Sequence, residues 1–262
     1  MSTKIITCIS GKGGAGKTTT TINLGAALNQ FGKDTTIIDA NLTTPNIGIF
    51  LGVPSVPVTI HNVLRGKKHI SEATYLHPSS LKVIPGSLSP SSIVNIDPLK
   101  LERNLLDIEG LTDYAIIDAA AGLGREALAA MKAADELLIV TNPELPALTD
   151  ALKTIKLAEK MKKPILGVLV TRVRKDSLDI SQKEVEEMLE YPVIGYIPED
   201  NKMREALALK MPVVHAFPRS QAAINYKKLA AKILNIPYNE KAYIGESSFF
   251  GNILKKLGLK NG

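Results

Sequence analysis

Short apolar segments alternate with longer amphipathic segments along most of this 262-residue chain. The short segments are almost continuously hydrophobic and rich in β-branched residues, which is typical of parallel strands covered on both faces. They predict seven strands, at residues 4–10, 35–39, 81–84, 114–118, 137–141, 165–171 and 193–197. The longer segments repeat their apolar positions with helical spacing. They predict seven helices, at residues 17–31, 99–107, 125–133, 148–161, 181–189, 202–209 and 221–234.

This alternation predicts a single α/β domain with a doubly wound, mostly parallel sheet. The pattern ends after Pro237. Residues 238–248 contain Asn, Gly and Ser without periodicity and are predicted to be a linker. Residues 249–262 again show helical spacing. The predicted division is therefore a domain at residues 1–237, a linker, and an amphipathic C-terminal tail.

A glycine-rich motif joins the first predicted strand to the first predicted helix and fits the pattern G-x4-G-K-[ST]. Backbone N–H groups of such a loop, together with the helix N-terminus, bind phosphate, so the sheet is predicted to be of the P-loop NTPase type. We expect Lys17 to neutralise the β- and γ-phosphates and the Thr18 hydroxyl to ligate Mg²⁺. The predicted nucleotide-binding residues of the loop are Gly11, Lys12, Gly13, Gly14, Ala15, Gly16, Lys17, Thr18 and Thr19.

Two carboxylates stand at the ends of predicted strands. Asp39 follows Thr-Thr-Ile-Ile, and Asp118 follows Tyr-Ala-Ile-Ile. The carboxyl ends of parallel strands meet at the edge where ligands bind. Asp39 and Asp118 are therefore predicted, with Thr18, to hold Mg²⁺ or its waters and to orient the attacking water. No Asn-Lys-x-Asp sequence is present, which argues against guanine selectivity.

Composition and charge restrict the classes of protein to consider. A single cysteine, Cys8, excludes a disulfide framework and any site that needs several thiolates. No apolar run approaches the roughly 18 residues of a membrane-spanning helix, and the N-terminus lacks a signal-peptide pattern, so we expect a cytoplasmic protein. Lys and Arg total 32 against 26 Asp and Glu, a net charge of +6. This charge suits phosphate ligands, an anionic membrane or nucleic acid.

The additional loop lysine, Lys12, makes the motif resemble that of the MinD/ParA family of deviant Walker A ATPases. The sequence Asp-Ala-Ala-Ala-Gly at 118–122 is similar to the family's switch D-[ST]-P-A-G, and residues 141–144 read Thr-Asn-Pro-Glu, as in MinD. Residues 171–172 and 195–200 are similar to segments that frame the adenine. The resemblance covers about residues 3–236 and implies that Arg172, Pro198 and Asp200 contact the nucleotide.

The same resemblance implies ATP and Mg²⁺ as cofactors and a homodimer in the ATP-bound state, in which Lys12 reaches the partner's nucleotide. It also implies hydrolysis stimulated by an unidentified partner protein. The residues expected to carry catalysis are Lys12, Lys17, Asp39, Asn41 and Asp118. Asn41 departs from the family, which usually has Asp-x-Asp after the second strand. An amide can orient water but cannot accept its proton, so we expect slow hydrolysis.

The tail carries apolar residues on one predicted helical face and lysines mostly on the other. It resembles the membrane-targeting helix of MinD. A shallowly inserted apolar face and lysines near anionic lipid bind weakly, and two tails in a dimer gain affinity through effective concentration. The predicted membrane-binding residues are Phe249, Phe250, Ile253, Leu254, Leu257, Lys255 and Lys256. The alternative is a helix that docks on the chain's own domain.

Three functions remain open at this stage. The first is an ATP-dependent switch that associates reversibly with the inner face of the cell membrane and positions partner proteins, at a division site or elsewhere. The second is a partition-type ATPase that binds DNA through phosphate contacts, with strong salt dependence. The third is a nucleotide-binding scaffold with very slow hydrolysis, suggested by Asn41. Iron–sulfur electron transfer is excluded because a single cysteine cannot supply the ligands.

Overall fold

Eight strands lie side by side in the part of the chain that this computed structural model describes, residues 2–94, 96–174 and 180–239. In chain order they are β1 (Lys4–Ile9), β2 (Thr35–Ala40), β3 (Tyr75–Leu76), β4 (Lys82–Ile84), β5 (Tyr114–Ala119), β6 (Glu136–Thr141), β7 (Ile165–Val173) and β8 (Val193–Pro198). Their spatial order is β3-β4-β2-β5-β1-β6-β7-β8. All neighbours pair in parallel except β3, which is antiparallel to β4.

Ten α-helices lie within the described residues, seven in the connections between the strands and three after β8. They are α1 (Lys17–Gln30), α2 (Ile47–Phe50), α3 (Ile60–Leu64), α4 (Lys100–Leu105), α5 (Arg125–Ala133), α6 (Leu145–Lys160), α7 (Gln182–Leu189), α8 (Asn201–Ala208), α9 (Val213–Ala216) and α10 (Gln221–Ile233). None of these helices combines the length and apolarity needed to cross a lipid bilayer.

Two hydrophobic layers hold the helices against the two faces of the sheet. Ile37 and Ile38 of β2 belong to different layers, because successive side chains of a strand point to opposite faces. One layer buries α1, α9 and α10, and the other buries α3 to α7. Helix α1 approaches the sheet so closely that a Cβ at Gly25 would lie 2.6 Å from Cγ2 of Ile37. The helix that follows the phosphate loop is therefore held tightly on the sheet.

The predicted fold is confirmed, with local differences. The seven predicted strands are present, and β3 was missed because two residues carry no periodic signal. The helices α2, α3 and α9 were not predicted either, because their four or five residues are too few to show helical spacing. Helix α6 begins at Leu145 rather than at 148, since Pro146 fits the first helical turn, where its missing N–H has no acceptor to lose. Residues 240–262, with most of the predicted linker and the whole amphipathic tail, lie outside the described residues.

Candidate functional site

The glycine-rich loop lies between β1 and α1, at the carboxyl edge of the sheet. Gly14 and Gly16 have φ angles of 84° and 83°, a left-handed conformation that residues with a Cβ rarely adopt. Gly16 also precedes the first turn of α1, where its carbonyl accepts from the N–H of Thr20 at 2.8 Å. Glycine at these two positions therefore turns the chain from the strand into the helix and leaves the helix N-terminus open to an anion.

Two further contacts hold the loop in place from outside. The Thr171 hydroxyl, at the end of β7, donates to the Ala15 carbonyl at 2.8 Å. The backbone of Gly11 lies against α6, so closely that a Cβ at this position would overlap the backbone of Asp150. The loop is thus fixed by neighbouring elements as well as by its own turns.

Lys17 and Thr18 meet Asp118 at the floor of the loop. Lys17 Nζ lies 3.3 Å from Oδ1 of Asp118, and the Thr18 hydroxyl donates to Oδ2 at 2.5 Å. The side chain of Asp118 is fully buried and that of Lys17 is 8% exposed. Burial raises the pKa of Asp118, while the lysine and the threonine hydroxyl act to lower it. The arrangement gathers an ammonium, a hydroxyl and a carboxylate beneath the position where phosphate would bind.

Asp39 lies beside Asp118 on the neighbouring strand and is also fully buried. Its carboxylate accepts three backbone N–H groups, from Asn41 at 3.2 Å and from Asn46 and Ile47 at 2.9 Å each. Burial, and next the charge of Asp118, raise the pKa of Asp39 to about 8, although the three N–H groups oppose this shift. Asp39 therefore organises the segment after β2 and places a second carboxylate at the same edge of the sheet.

The donor atoms at this edge fit Mg²⁺. Thr18, Asp39 and Asp118 offer only oxygen, which is the ligand type that magnesium prefers. Within the described residues no group of three or more His, Cys, Asp or Glu side chains gathers as a metal cage. Magnesium in proteins is usually bound by one or two protein oxygens together with nucleotide phosphates and water. When bound, the ion would supply charge neutralisation at the phosphates.

Asn41 lines a cavity beside the loop but is engaged in a turn. Its Nδ2 donates to the Thr44 carbonyl at 2.6 Å, and its Oδ1 accepts the Thr44 hydroxyl at 3.1 Å. The side chain therefore closes the turn that follows Asp39. A water-orienting role for Asn41, as expected from the sequence, requires that this turn open or that the amide serve both purposes.

Two cavities flank the loop, on either side of Arg172. The larger, about 680 Å³, is lined by the loop itself and by residues from the 41–46 and 120–127 segments. The other, about 470 Å³, lies between α1, α2 and α8. Both volumes are in the range of small-molecule sites. Arg172 lines both cavities, has a φ of 55° and is exposed.

The structure brings together the residues predicted to contact adenine. Arg172, Pro198 and Asp200 all line the smaller cavity, with Thr19 on its loop side. Asp200 also has a structural task that the sequence did not reveal. One carboxylate oxygen accepts from the N–H of Lys202 at 2.9 Å and caps α8, and the other accepts from the N–H of Ala222 at 3.1 Å in α10.

The two lysines of the loop lie in different environments. Lys17 is buried against Asp118, whereas Lys12 is exposed and lines the larger cavity. The backbone carbonyl of Lys12 accepts the Ser10 hydroxyl at 2.9 Å, which fixes the chain at this point. The side chain of Lys12 is thus available to a group outside its own loop.

Two roles near the site were not predicted from the sequence. Thr171 was expected within a segment that frames the adenine, but its support of the loop through the Ala15 carbonyl was not. Glu126, in the first turn of α5, lines the larger cavity and accepts hydrogen bonds from residues 42 and 43. The sequence offered one signal for Glu126, because this residue comes shortly after the switch-like sequence at 118–122. Its hydrogen-bond partners could not be predicted, because they lie more than eighty positions away in the chain.

Cys8 lies in β1, in register with Asp118 of β5, and is fully buried. Burial raises the pKa of its thiol to about 12, so the thiolate is strongly disfavoured. Cys8 is therefore a buried thiol within the central part of the sheet.

The chain is similar to a known protein family and to several solved structures. The ParA family model, described as "NUBPL iron-transfer P-loop NTPase", matches residues 2–234. An uncharacterized ATP-binding protein of Methanocaldococcus jannaschii is 39% identical over 252 residues, which is 96% of each chain. The septum site-determining protein MinD of Pyrococcus horikoshii, solved with Mg-ADP, superposes with a TM-score of 0.84 at 35% identity, covering 88% of this chain and 96% of that one.

MinD of Aquifex aeolicus, solved in a complex with the protein MinC, superposes with a TM-score of 0.79 at 31% identity and covers 90% of this chain and 98% of that one. The family match spans most of the chain, and the superpositions on MinD structures cover 88–90% of it. The resemblance stated from the motifs is therefore confirmed. This chain belongs to the ParA/MinD family of P-loop NTPases.

Proposed function

We propose that this protein is an ATP-hydrolysing dimerisation switch that binds a membrane surface reversibly and positions partner proteins there. The observation that carries the proposal is the difference in environment between the two loop lysines. Lys17 is buried on Asp118 and is placed for phosphate in its own site, whereas Lys12 points into an open cavity. An exposed second lysine suits a nucleotide site that a second copy of the chain completes.

The proposed roles in hydrolysis follow from the positions of the side chains. Lys17 neutralises phosphate charge, and Thr18 and Asp118 hold Mg²⁺, with Asp39 behind them on the adjacent strand. Arg172, Pro198 and Asp200 form the wall on the adenine side. Because phosphoryl transfer depends mainly on positioning and electrostatics, this constellation supports hydrolysis without a strong base.

The proposed partners come from the relatives and from the sequence of the tail. The Mg-ADP in the Pyrococcus MinD supports ATP and Mg²⁺ as ligands here. The MinC:MinD complex supports a protein partner for this chain. The protein that stimulates hydrolysis is a separate proposal, which comes from the family resemblance. Residues 240–262 hold four Lys and two Glu beside five large apolar residues of one predicted face. An ATP-bound dimer would present two such tails to an anionic membrane.

Co-sedimentation with vesicles tests the membrane function. Full-length protein and a variant ending at residue 247 are compared on vesicles of phosphatidylcholine with phosphatidylglycerol, with ATP, with ADP and at several salt concentrations. We expect retention of the full-length protein with ATP only, and loss of retention in the shortened variant. If the full-length protein with ATP stays in the supernatant, or if the shortened variant still sediments, the membrane function is wrong.

The same experiment with duplex DNA tests the partition-type alternative. ATP-dependent DNA retention that falls steeply with salt would favour this second function, because phosphate contacts release counterions. Phosphate release, measured in parallel, tests the third. The turn that engages Asn41 favours a nucleotide-binding scaffold with very slow hydrolysis, and ordinary turnover would exclude that function.

A further inference from the structure

We propose that Glu126 is a positioning residue that fixes the backbone of residues 42 and 43, and through it the segment that carries Asn41 along the larger cavity. The effect on turnover rests on the hydrolysis proposed above. The effect on the backbone does not, and can be measured in the protein without nucleotide.

The carboxylate of Glu126 serves three donors of one short segment. Oε2 accepts from the N–H of Leu42 at 2.9 Å and from the N–H of Thr43 at 3.3 Å. Oε1 accepts the Thr43 hydroxyl in a short hydrogen bond. Hydrogen bonds to an ionised carboxylate are stronger than those between neutral groups, so this contact holds two consecutive peptide units in one orientation.

Leu42 is held from its other side as well. Its carbonyl lies 2.9 Å from Nε2 of His61, and Nδ1 of the same ring accepts from the N–H of Ser87 at 3.1 Å. These two partners assign the proton of the neutral ring to Nε2. The Leu42 side chain is 3% exposed and packs in the core. The N–H, the carbonyl and the side chain of residue 42 are therefore all fixed, by α5, α3 and the hydrophobic layer.

The held segment directly follows β2, the strand that carries Asp39. Asp39 binds the N–H groups of Asn46 and Ile47, so the chain is fixed on both sides of the turn formed by Asn41. Glu126 stands on the helix that follows Asp118 along the chain. It is thus the contact that ties the segment after β2 to the segment after β5, while Asn41 and Glu126 both line the cavity.

Glutamine at position 126 separates geometry from charge. Its carbonyl oxygen can accept the two backbone N–H groups, and its amide can donate to the Thr43 hydroxyl, which also accepts hydrogen bonds. Glutamine therefore preserves the positioning contact and removes the negative charge. Alanine removes both. Glu102, an exposed glutamate in the first turn of α4, offers a matched control in the helix that packs on α5.

The test compares the full-length protein with its Glu126→Ala, Glu126→Gln and Glu102→Ala variants. Hydrogen exchange is followed in peptides covering residues 42–47 without nucleotide, and ATP affinity and turnover are measured separately. For Glu126→Ala we expect about tenfold faster exchange at residues 42 and 43. We also expect a fall in kcat of about tenfold to a hundredfold, with an ATP Kd within about threefold of the original. Glu126→Gln and Glu102→Ala should stay close to the original protein in all three measurements.

Two results would overturn the positioning role. One is unchanged hydrogen exchange at residues 42 and 43 in the Glu126→Ala variant. The other is a change in exchange and turnover in Glu126→Gln that equals the change in Glu126→Ala, since that result would assign the role of Glu126 to its charge. If the original protein shows no turnover, the proposed hydrolysis fails, and the exchange measurements still decide whether Glu126 positions the segment.

Discussion

Asp39 and Asp118 are direct register partners on the parallel strands β2 and β5, and both side chains are fully buried. Burial raises the pKa of both carboxyl groups, and the charge of Asp118 raises that of Asp39 further, because like charges disfavour each other. The ammonium of Lys17, 3.3 Å from Asp118, is the positive charge that offsets them. The electrostatics of this part of the site therefore depend on one lysine.

Replacement of Lys17 by methionine is expected to destabilise the nucleotide-free protein by about 3 kcal/mol, because it leaves Asp118 buried without its cation. An acid with a raised folded-state pKa contributes less stability as pH rises, so the loss should be larger at pH 8 than at pH 6. Chemical denaturation at both pH values measures this. Lys12→Met is the matched control, and since Lys12 is exposed it should change stability by less than about 0.5 kcal/mol. Equal losses in the two variants would contradict the prediction.

Gly11→Ala should lower the thermal stability of the nucleotide-free protein, because the added Cβ overlaps the backbone of Asp150 and one of the two elements must move. Overpacking of this kind costs about 1–3 kcal/mol. Gly13→Ala is the control in the same loop, since a Cβ there meets no atom within 4 Å. Calorimetry of the two variants should separate them clearly. A Gly11→Ala protein as stable as Gly13→Ala would show that the loop does not press on α6.

Asn41→Asp is expected to raise the rate of phosphate release about tenfold or more. A carboxylate cannot donate to the Thr44 carbonyl, so the turn contact at 2.6 Å is lost and only the contacts that the side chain accepts from Thr44 remain to hold it. Asn41→Ala removes all the side-chain contacts of the turn but adds no proton acceptor, and it should not accelerate release. Single-turnover phosphate release with saturating ATP measures both. Acceleration by alanine as large as that by aspartate would mean that opening the turn is the whole effect.

His215 predicts an acid-sensitive contribution to stability. Burial, and then the nearby His77 and Lys227, lower its pKa to about 4. A base with a lowered folded-state pKa stabilises the protein fully above its unfolded value, near 6.5, and the contribution is lost as pH falls towards 4. Between pH 7.5 and pH 5 the loss should be about 2 kcal/mol.

The His215→Gln variant should lose less stability over the same pH interval than the original protein, as measured by denaturation at each pH. His69→Gln, at a histidine whose side chain is 53% exposed, is the control variant. Parallel pH profiles for the original protein and His215→Gln would show that another group is responsible.

Much of the site could be predicted from the sequence, because each of its motifs lies within one short segment of the chain. The glycine pattern and the following helix occupy one continuous segment, and Asp39 and Asp118 each end an apolar run, so their common edge follows from parallel pairing. The double role of Asp200 was not accessible, since its second partner, Ala222, is 22 positions away. The same holds for Glu126, whose backbone partners belong to another crossover.

The class of fold, the phosphate loop and the carboxylates at the strand ends could be read from the chain, because periodicity, glycine spacing and strand termination are properties of neighbouring residues. The strand order, the packing of the loop on α6 and the burial of Lys17 rather than Lys12 became known from the folded structure. These depend on contacts between segments far apart in the chain. Their energies arise from burial and hydrogen-bond geometry, which linear spacing does not encode.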